Sequence, residues 1–344
     1  MLNPSFPLEK SGDNFAMALQ VFTGGVYEAW REPGDLMDNS LGIFEVITPD
    51  HGSKFSYNRK ADLEDAEDFT PGVDEMVGQN LVFDEKILTP DKYLVSSASI
   101  GMDQIKASHF DPMRNQGIDA ANKIKQKLQR RALIMNALNA RSAAVTKDGR
   151  VVHNGGNRVT RTGGSVATAY PTSATGAQNF IDDLNSLAEL LDEDNIPEDG
   201  RYIKWTPYIR HVLQNAGQEV FNRNFVRTGD IQNRNVGTLA GFQILPTSNT
   251  TSKTDGTMPD TNITTEPTKF QGNFTPQASD GTPVCQVFCI GNGGQKPLAM
   301  IIEDPITVDT EFTKARKAVR IYVTAKISID SAEEYCSGSV EVIT

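Results

Sequence analysis

Residues 43–144 constrain the fold more than any other part of the chain, because two strand-like segments there flank an acidic stretch and lead into one long basic helix. The acidic stretch, residues 61–75, contains no Lys or Arg, so it cannot form a core of its own and is expected to face outward. Its acidic residues are Asp62, Glu64, Asp65, Glu67, Asp68, Asp74 and Glu75. Opposite charges at short distance along one chain suggest self-assembly.

The two strand-like segments are predicted to be the legs of a long hairpin. Residues 53–60 place Phe55, Tyr57 and Arg59 at alternate positions, and residues 81–88 alternate in a similar way. A two-stranded ribbon is only marginally stable by itself in water. We therefore expect this hairpin to need a partner surface.

The basic helix is predicted to have Asp111 as its N-cap and Pro112 as its first residue, and to continue to about Ser142 over roughly 48 Å. An apolar stripe at helical spacing should pack against the rest of the protein. The stripe consists of Ile118, Ala121, Ile124, Leu128, Ala132, Met135 and Leu138. The opposite face is expected to remain free, either solvated or available to a partner. Its basic residues are Lys123, Lys125, Lys127, Arg130 and Arg131.

The rest of the chain is predicted to alternate helices and strands. Residues 145–175, rich in Gly, Thr, Ser and Asn, are expected to be a long connector with little regular structure. Residues 247–283 are expected to be a surface insertion or binding loop, and residues 291–296 a hairpin turn. The patterned segments are a helix near 180–191, a strand at 202–205, a helix from 207 to about 217, a strand ending near 246, and strands at 284–290, 298–302 and 319–329.

Composition excludes several classes of protein. The 344 residues are 38% hydrophobic and 22% charged, which is typical of an ordered globular protein, and no apolar run approaches the roughly 20 residues that cross a bilayer. The first residues lack the pattern of a secretory signal. A net charge of −11 argues against a general nucleic-acid binder. Three cysteines fit a reducing compartment, and Cys285 and Cys289 are expected to lie in the core rather than to bind metal.

Candidate catalytic residues form no recognisable motif. The histidines are scattered, at His51, His109, His153 and His211, and neither a zinc-protease nor a serine-hydrolase motif is present. The acidic turn Asp192–Asp194 lacks the ligand spacing of a calcium-binding loop. We therefore expect no enzyme, no cofactor and no metal site. The abundance of Asp and Glu leaves a carboxylate-dependent hydrolase of unknown substrate as the alternative.

Four segments, in this order, carry a resemblance to a known family. They are Phe22–Trp30, Pro71–Gln79, Gly200–Tyr208 and Gly237–Ile244. With the hairpin and the long helix between them, the chain resembles the major capsid proteins of tailed bacteriophages, particularly those of T-seven-like podophages. The resemblance covers nearly the whole chain. It implies an α+β fold, the phage major capsid protein fold of the Hong Kong ninety-seven type.

The resemblance also implies a division of the chain into parts. These are an N-terminal arm at 1–42, an extended E-loop hairpin with flanking strands at 43–100, a P-domain spine helix and connector at 101–176, an A-domain at 177–297, and C-terminal strands returning to the P-domain at 298–344. The chain departs from the family within the A-domain, where residues 247–283 are an insertion.

The function implied by the resemblance is structural. Such a protein assembles into hexamers and pentamers of an icosahedral head that encloses double-stranded DNA. Its implied partners are other copies of itself, a scaffolding protein during assembly, a portal protein, a decoration protein as an open alternative, and packaged DNA bound without sequence specificity, with no membrane. The implied location is the virion capsid, assembled in the bacterial host cytoplasm. A non-viral nanocompartment shell of the same fold is a further alternative.

The two oppositely charged segments lead to one specific hypothesis about contacts between subunits. We expect the acidic tip of the hairpin to face a basic surface of an adjacent subunit, and the basic face of the long helix is the candidate. The residues concerned are Asp62, Glu64, Asp65, Glu67 and Asp68 on the tip, and Lys123, Lys125, Lys127, Arg130 and Arg131 on the helix. The rival interpretation directs the helix face inward, to a scaffolding protein or DNA.

Overall fold

The structure is a computed structural model. It describes residues 22–23, 26, 36–37, 41–48, 55–60, 82–88, 90–101, 112–215, 238–245, 267–272, 274, 281–313 and 318–344. The predicted acidic tip, the N-cap Asp111 and most of the predicted arm and insertion lie outside the described residues. Among the helices that are described, none is long and apolar enough to cross a membrane.

Helices and strands alternate along the described chain. In chain order they are β1 (Phe44–Ile47), β2 (Phe55–Lys60), β3 (Phe83–Leu88), β4 (Leu94–Gly101), α1 (Pro112–Ala140), β5 (Val145–Lys147), β6 (Arg150–His153), β7 (Asn157–Thr162), α2 (Val166–Ala169), α3 (Ala174–Glu193), β8 (Arg201–Trp205), α4 (Pro207–Asn215), β9 (Thr238–Leu239), β10 (Phe242–Ile244), β11 (Thr282–Cys289), β12 (Leu298–Thr313), β13 (Ala318–Ser331) and β14 (Ser337–Ile343). Two short 3-10 turns, Thr268–Phe270 and Glu334–Cys336, lie between strands.

Sheet A has the strand order β1-β12-β13-β4. Strand β1 runs parallel to β12, and the remaining neighbours are antiparallel. Helix α1 packs on this sheet through its predicted stripe, with Ala121, Leu128 and Ala132 completely buried against residues such as Ile321 and Val323. The stripe and the long helix are thus confirmed, and α1 contains 29 residues.

Sheet B has the strand order β7-β14-β11-β8-β10-β9. Helices α3 and α4 supply the apolar side chains that fill a second core with this sheet, among them Phe180, Leu184, Leu187 and Ile209. The helices and strands predicted at 180–191, 202–205, 207–217 and 284–290 are confirmed, with small differences in their ends.

The prediction that residues 145–175 lack regular structure is wrong. This segment contains β5, β6, β7, α2 and the start of α3, and β7 pairs in parallel with β14 at the edge of sheet B. Since β7 and β14 both lie outside residues 177–297, the sheet does not follow the predicted A-domain boundaries. Strand β7 was missed because its sequence, Asn157-Arg-Val-Thr-Arg-Thr162, holds one large apolar residue, as an edge strand can.

The residue that leads into β7, Gly156, must be a glycine. Gly156 passes the end of α1 so closely that an added Cβ would come within 1.9 Å of the carbonyl oxygen of Asn139. The Gly156 N–H donates to the carbonyl oxygen of Ser142 at 3.0 Å, which satisfies an acceptor at the end of the helix. Glycine is therefore required here by space, because backbone atoms on the helix cannot move aside.

A buried carboxylate joins the end of α1 to sheet B. Glu341 on β14 has a fully buried side chain, and its two oxygens lie 2.9 Å from Arg141 Nε and 2.8 Å from Arg158 Nη2. Ser339 donates a further hydrogen bond at 3.1 Å. The Arg141 guanidinium also donates to the carbonyl of Gly281 and lies 5.0 Å from the ring centre of Phe274. We call Glu341, Arg141 and Arg158 the Glu341 cluster.

The cysteines lie where the sequence predicted. Cys285 and Cys289 are completely buried in the core of sheet B, together with Cys336. Burial raises the pKa of all three thiols, that of Cys336 to about 12, so they are poor nucleophiles. Residues 291–297 do form a turn, but the hairpin prediction is wrong because this turn leads from β11 in sheet B to β12 in sheet A.

Candidate functional site

Strands β2 and β3 form an antiparallel two-stranded ribbon, as predicted, with Phe55 opposite Leu88 and Lys60 opposite Phe83. Within the described residues it hydrogen-bonds to no strand of sheet A or sheet B. Because side chains alternate along a strand, β3 presents Phe83, Glu85 and Ile87 on one face. Phe83 is 50% exposed and Ile87 56% exposed. The outer face of the ribbon therefore exposes two large apolar side chains to solvent, on either side of Glu85.

The inner face of the ribbon rests on the rest of the subunit, which we call the body. Leu88 is completely buried in a small cluster with Ala299, Ile301 and Ala332. At the other end of β3, Val82 is buried against Val152 of β6. These two small apolar contacts are much smaller than the cores of sheets A and B.

A buried group of charges lies between these apolar contacts. Lys86 Nζ on β3 lies 2.6 Å from Glu334 Oε1, and Arg59 Nη2 on β2 lies 2.7 Å from Glu334 Oε2. Arg59 also donates to the carbonyl oxygen of Ala332 and lies 3.8 Å from Glu333. Glu334 begins the 3-10 turn before β14. We call Arg59, Lys86, Glu333 and Glu334 the Glu334 cluster.

The surroundings of Glu334 favour its ionised form. Burial alone would raise the pKa of this carboxyl, but the charges and hydrogen bonds of Lys86 and Arg59 outweigh burial and lower its pKa to about 2. Burial lowers the pKa of Lys86 even with Glu334 beside it. Ser331 donates to Glu334 Oε1 at 3.0 Å, and His153 Nδ1 lies 3.7 Å from Oε2. The ionised Glu334 carboxylate is thus the group that pairs with both Arg59 and Lys86.

The small hairpin β5–β6 contacts the ribbon as well. Lys147 Nζ donates to the carbonyl oxygen of Phe83 at 2.6 Å and lies 3.9 Å from Asp84 Oδ1. Lys147 is about half exposed, so this contact is screened by solvent and is worth less than the buried pairs.

The basic residues of α1 do not form the free face that the sequence suggested. Lys123 is exposed and Lys127 and Arg130 are half-buried, whereas Lys125 is 5% exposed and Arg131 only 3%. The expectation of a free face is wrong at these two positions, because residues 131–137 of α1 are buried on every side. The helix lies between sheet A, strands of sheet B and the two 3-10 turns.

Arg131 belongs to a network inside the subunit. Its Nη1 lies 3.6 Å from Asp91 Oδ2, and its guanidinium lies 5.0 Å from the ring centre of Phe270. Asp91 also accepts from Ser328 at 2.9 Å and lies 3.1 Å from Lys269 Nζ. The network joins α1 to the segment before β4 and to the 3-10 turn Thr268–Phe270, which lies within the predicted insertion.

Whether the two predicted charged segments meet stays a prediction, because the acidic residues lie outside the described part of the structure. These are Asp62, Glu64, Asp65, Glu67 and Asp68. Sequence reasoning missed Glu334 and Lys86 altogether. The one available signal was Arg59, which continues the alternation of Phe55 and Tyr57 and so shares their side of the strand.

The acidic turn after α3 is used within the fold. Asp192 Oδ1 lies 2.5 Å from Arg201 Nη2, and Asp194 accepts hydrogen bonds from Asn154 and Asn157, each at 2.9 Å. Among the residues that the structure describes, no group of three or more His, Cys, Asp or Glu could hold a metal ion.

Comparison with known proteins gives a result for structure alone. No family model matches the sequence, and no curated protein matches it. Among solved structures, the capsid structure of cyanophage P-SCSP1u is similar with a TM-score of 0.66 at 18% identity, over 87% of this chain and 86% of that one. The mature capsid of bacteriophage PhiM1 gives 0.62 at 14% identity, over 88% and 86%. The capsid of Ralstonia phage GP4 gives 0.55 at 13% identity, over 87% and 86%.

At these identities the similarity establishes the fold. The similarity extends over 87–88% of this chain. The α+β prediction is therefore confirmed: this chain has the fold of the capsid proteins of tailed bacteriophages.

Proposed function

We propose that this chain is the major capsid protein of a tailed phage, a structural subunit that assembles into hexamers and pentamers of an icosahedral head around double-stranded DNA. The observation that carries the proposal is the ribbon: its inner face is fastened to the body and its outer face exposes Phe83 and Ile87. The fold that this chain shares with solved phage capsid structures supports the same proposal. On this proposal the chain is not an enzyme, and it acts in the virion after assembly in the host cytoplasm.

The exposed face of the ribbon is well suited to contact another copy of the chain. Burying the exposed half of Phe83 and of Ile87 would contribute about 1 kcal/mol for each side chain. That is modest for one contact, but a shell repeats the contact at every subunit. Weak repeated contacts permit subunits to dissociate and correct errors during assembly.

Charge contributes to the proposed contact. The residues Asp62, Glu64, Asp65, Glu67 and Asp68 would face a basic surface on a neighbouring subunit, and the exposed Lys123 is the member of the α1 set best placed to take part. Exposed ion pairs steer association more than they strengthen it. Assembly should therefore slow as salt is raised, and an assembly rate independent of salt would contradict this contact. A scaffolding protein, a portal protein and packaged DNA belong to the proposal as partners.

The proposal is tested with the double variant Phe83→Ser/Ile87→Ser in the full-length chain. Both side chains are largely exposed, so the free energy of unfolding of the subunit should change by less than about 1 kcal/mol. Loss of about 2 kcal/mol at each contact should lower the yield of closed shells at least about tenfold. Thermal unfolding of the subunit and electron microscopy after assembly with the scaffolding protein measure the two effects.

The matched control is Tyr93→Ser/Val95→Ser. These side chains are 55% and 58% exposed, with Tyr93 just before β4 and Val95 within it, and neither belongs to the ribbon. Tyr93→Ser also removes a hydrogen bond to Asp304. The two substitutions remove an exposed apolar area similar to that removed by the ribbon variant. The yield of closed shells should nevertheless stay within about twofold of the unmodified chain. Undiminished shells from the ribbon variant would contradict the role of its outer face. Failure of the unmodified chain to form closed shells would overturn the proposed function.

A further inference from the structure

Among the side chains that the structure describes, the ribbon touches the body through two small apolar contacts. In its described part, the apolar contacts are Leu88 at one end and Val82 at the other. Apolar contacts are non-directional, so two small contacts hold the ribbon near the body without defining how it is rotated. Something else must set its direction.

One carboxylate connects to both strands of the ribbon. Arg59 lies on β2 and Lys86 on β3, and in the register of the ribbon they are diagonal neighbours on the same face. Each binds a different oxygen of Glu334, at 2.7 Å and 2.6 Å. Lys86 donates a hydrogen bond to Oε1, while Arg59 forms an ion pair with Oε2 and donates to the carbonyl oxygen of Ala332. Contacts from both strands to this one turn restrain rotation as well as distance.

The carboxylate itself is rigidly mounted. The turn that carries Glu334 follows β13 in sheet A and leads into β14 in sheet B. Just before it, the N–H groups of Ala332 and Glu333 each donate at 3.1 Å to the carbonyl oxygens of Pro297 and Lys296. The turn is therefore tied to both sheets, and the direction of the Glu334 side chain is defined by the body.

From this geometry we propose that Glu334 is a positioning residue that sets the direction in which the ribbon leaves the subunit. Arg59 and Lys86 are its two points of attachment, one on each strand. Without the carboxylate, the ribbon keeps its own ladder of hydrogen bonds, its apolar contacts and the hydrogen bonds from Arg59 to Ala332 and from Lys147 to Phe83, but it loses the one group that pairs with both strands and it rotates. Lys86 then becomes solvated as the ribbon rotates.

A consequence for assembly follows if the proposed function is correct. The direction of the ribbon determines where its outer face, with Phe83 and Ile87, meets the next subunit. A subunit with a rotating ribbon would still bind its neighbours, but at variable angles. The shells formed should then vary in diameter or remain open. This consequence rests on the proposed function, whereas the direction of the ribbon in the single subunit does not.

The test measures the direction of the ribbon with spin labels. Cysteines introduced at the exposed positions Glu85 on β3 and Glu189 on α3 accept the labels, and the native thiols are buried and unreactive. Double electron–electron resonance on the dispersed full-length chain then gives the distribution of distances between the labels. Glu334→Gln keeps the size of the side chain and removes its charge. We expect the width of the distribution to increase at least about twofold in this variant.

Two further variants keep the result interpretable. Glu303→Gln removes a carboxylate that pairs with Lys326 across β12 and β13 and does not belong to the Glu334 cluster, so its distance distribution should be unchanged. Arg59→Lys keeps the positive charge but loses the guanidinium, which both pairs with Glu334 and donates to Ala332. The width of its distance distribution should therefore fall between the widths for the unmodified chain and for Glu334→Gln. Circular dichroism establishes that each variant is folded, and Arg59→Lys replaces Glu334→Gln as the deciding variant if the latter does not fold.

The outcomes are distinguishable. An unchanged, narrow distribution in folded Glu334→Gln would overturn the positioning role, and so would equal broadening in Glu303→Gln. A broadened distribution in Glu334→Gln alone supports it. Electron microscopy of shells from Glu334→Gln then tests the consequence for assembly. If the unmodified chain forms no shells, the proposed function fails while the distance measurement still decides the role of Glu334.

Discussion

Two buried carboxylates in this chain have nearly the same chemistry and different tasks. Glu341 and Glu334 each pair with two cationic side chains, and the shortest contact of each pair lies at 2.6–2.9 Å. Glu341 lies inside sheet B, where Arg141 ties the end of α1 to the sheet. Glu334 lies between the body and the ribbon, and Arg59 and Lys86, with which it forms its short ion pairs, both belong to the ribbon. The difference lies in the elements that each carboxylate joins.

The size of the surrounding core decides what each ion cluster contributes. Around Glu341 the helix and sheet are already held by large apolar cores, and the cluster cannot open without disrupting them. Around Glu334 the apolar clusters that the described side chains of the ribbon form with the body are small, so we expect the ribbon to separate while the body stays folded. The same kind of ion cluster therefore acts on global stability in one place and on local direction in the other.

The largest effect is expected from Glu341→Gln, which leaves Arg141 and Arg158 with a neutral partner in a buried site. Because these elements cannot separate locally, the free energy of unfolding of the whole subunit should fall by about 3–5 kcal/mol. Chemical denaturation followed by circular dichroism measures the change. In Glu334→Gln the free energy of unfolding of the whole subunit should change by less than about 1 kcal/mol, because the ribbon can separate from the body without unfolding it.

Equal losses of global stability in the two variants would remove the distinction between the clusters. A loss of global stability in Glu334→Gln alone would reverse the roles assigned to the two clusters. Either result would mean that the ribbon and the body unfold as one cooperative unit.

A smaller effect is expected when the pH is lowered. The pKa of Glu334 lies at about 2 in the folded subunit, below its ordinary value of 4.5, so its contribution is complete above pH 4.5 and is lost as the pH falls toward 2. A shift of this size corresponds to about 3 kcal/mol at most. The ribbon distance distribution should therefore broaden within this pH range while the unmodified body is still folded.

The control for the acid experiment is Glu334→Gln, which lacks the titrating carboxyl. Its distribution should already be broad at neutral pH and should not broaden further in this range. If the unmodified chain keeps a narrow distribution down to pH 2, or if the variant shows the same transition, the attachment does not depend on the charge of Glu334.

Periodic segments of this fold were predictable from the sequence. The stripe from Ile118 to Leu138 defines α1 because one face of a helix repeats with the turn of the helix. The ribbon was predictable because Phe55, Tyr57 and Arg59 alternate. In both cases the pattern is local, so it is visible without knowledge of the fold.

Contacts between distant segments were not predictable in the same way. Strand β7 consists mainly of polar residues, and its partner β14 is remote in sequence, so nothing local marks it as a strand. Lys125 and Arg131 were expected to be free because a single apolar stripe suggests a single packed side, yet other parts of the chain cover the opposite side of α1. The pair Glu333–Glu334 resembles an exposed turn until the ribbon is placed above it.

The position of β14 has a consequence for the order of folding. This strand lies between β7 and β11 in sheet B, yet it is synthesised after both of them. A chain interrupted before Ser337 would leave two open strand edges and no Glu341, and open edges readily pair with other chains. The ribosome must therefore finish β14 before the subunit has a closed interior. Incomplete chains are distinguished from complete ones by their lack of this core, which keeps them out of any assembly that requires a folded body.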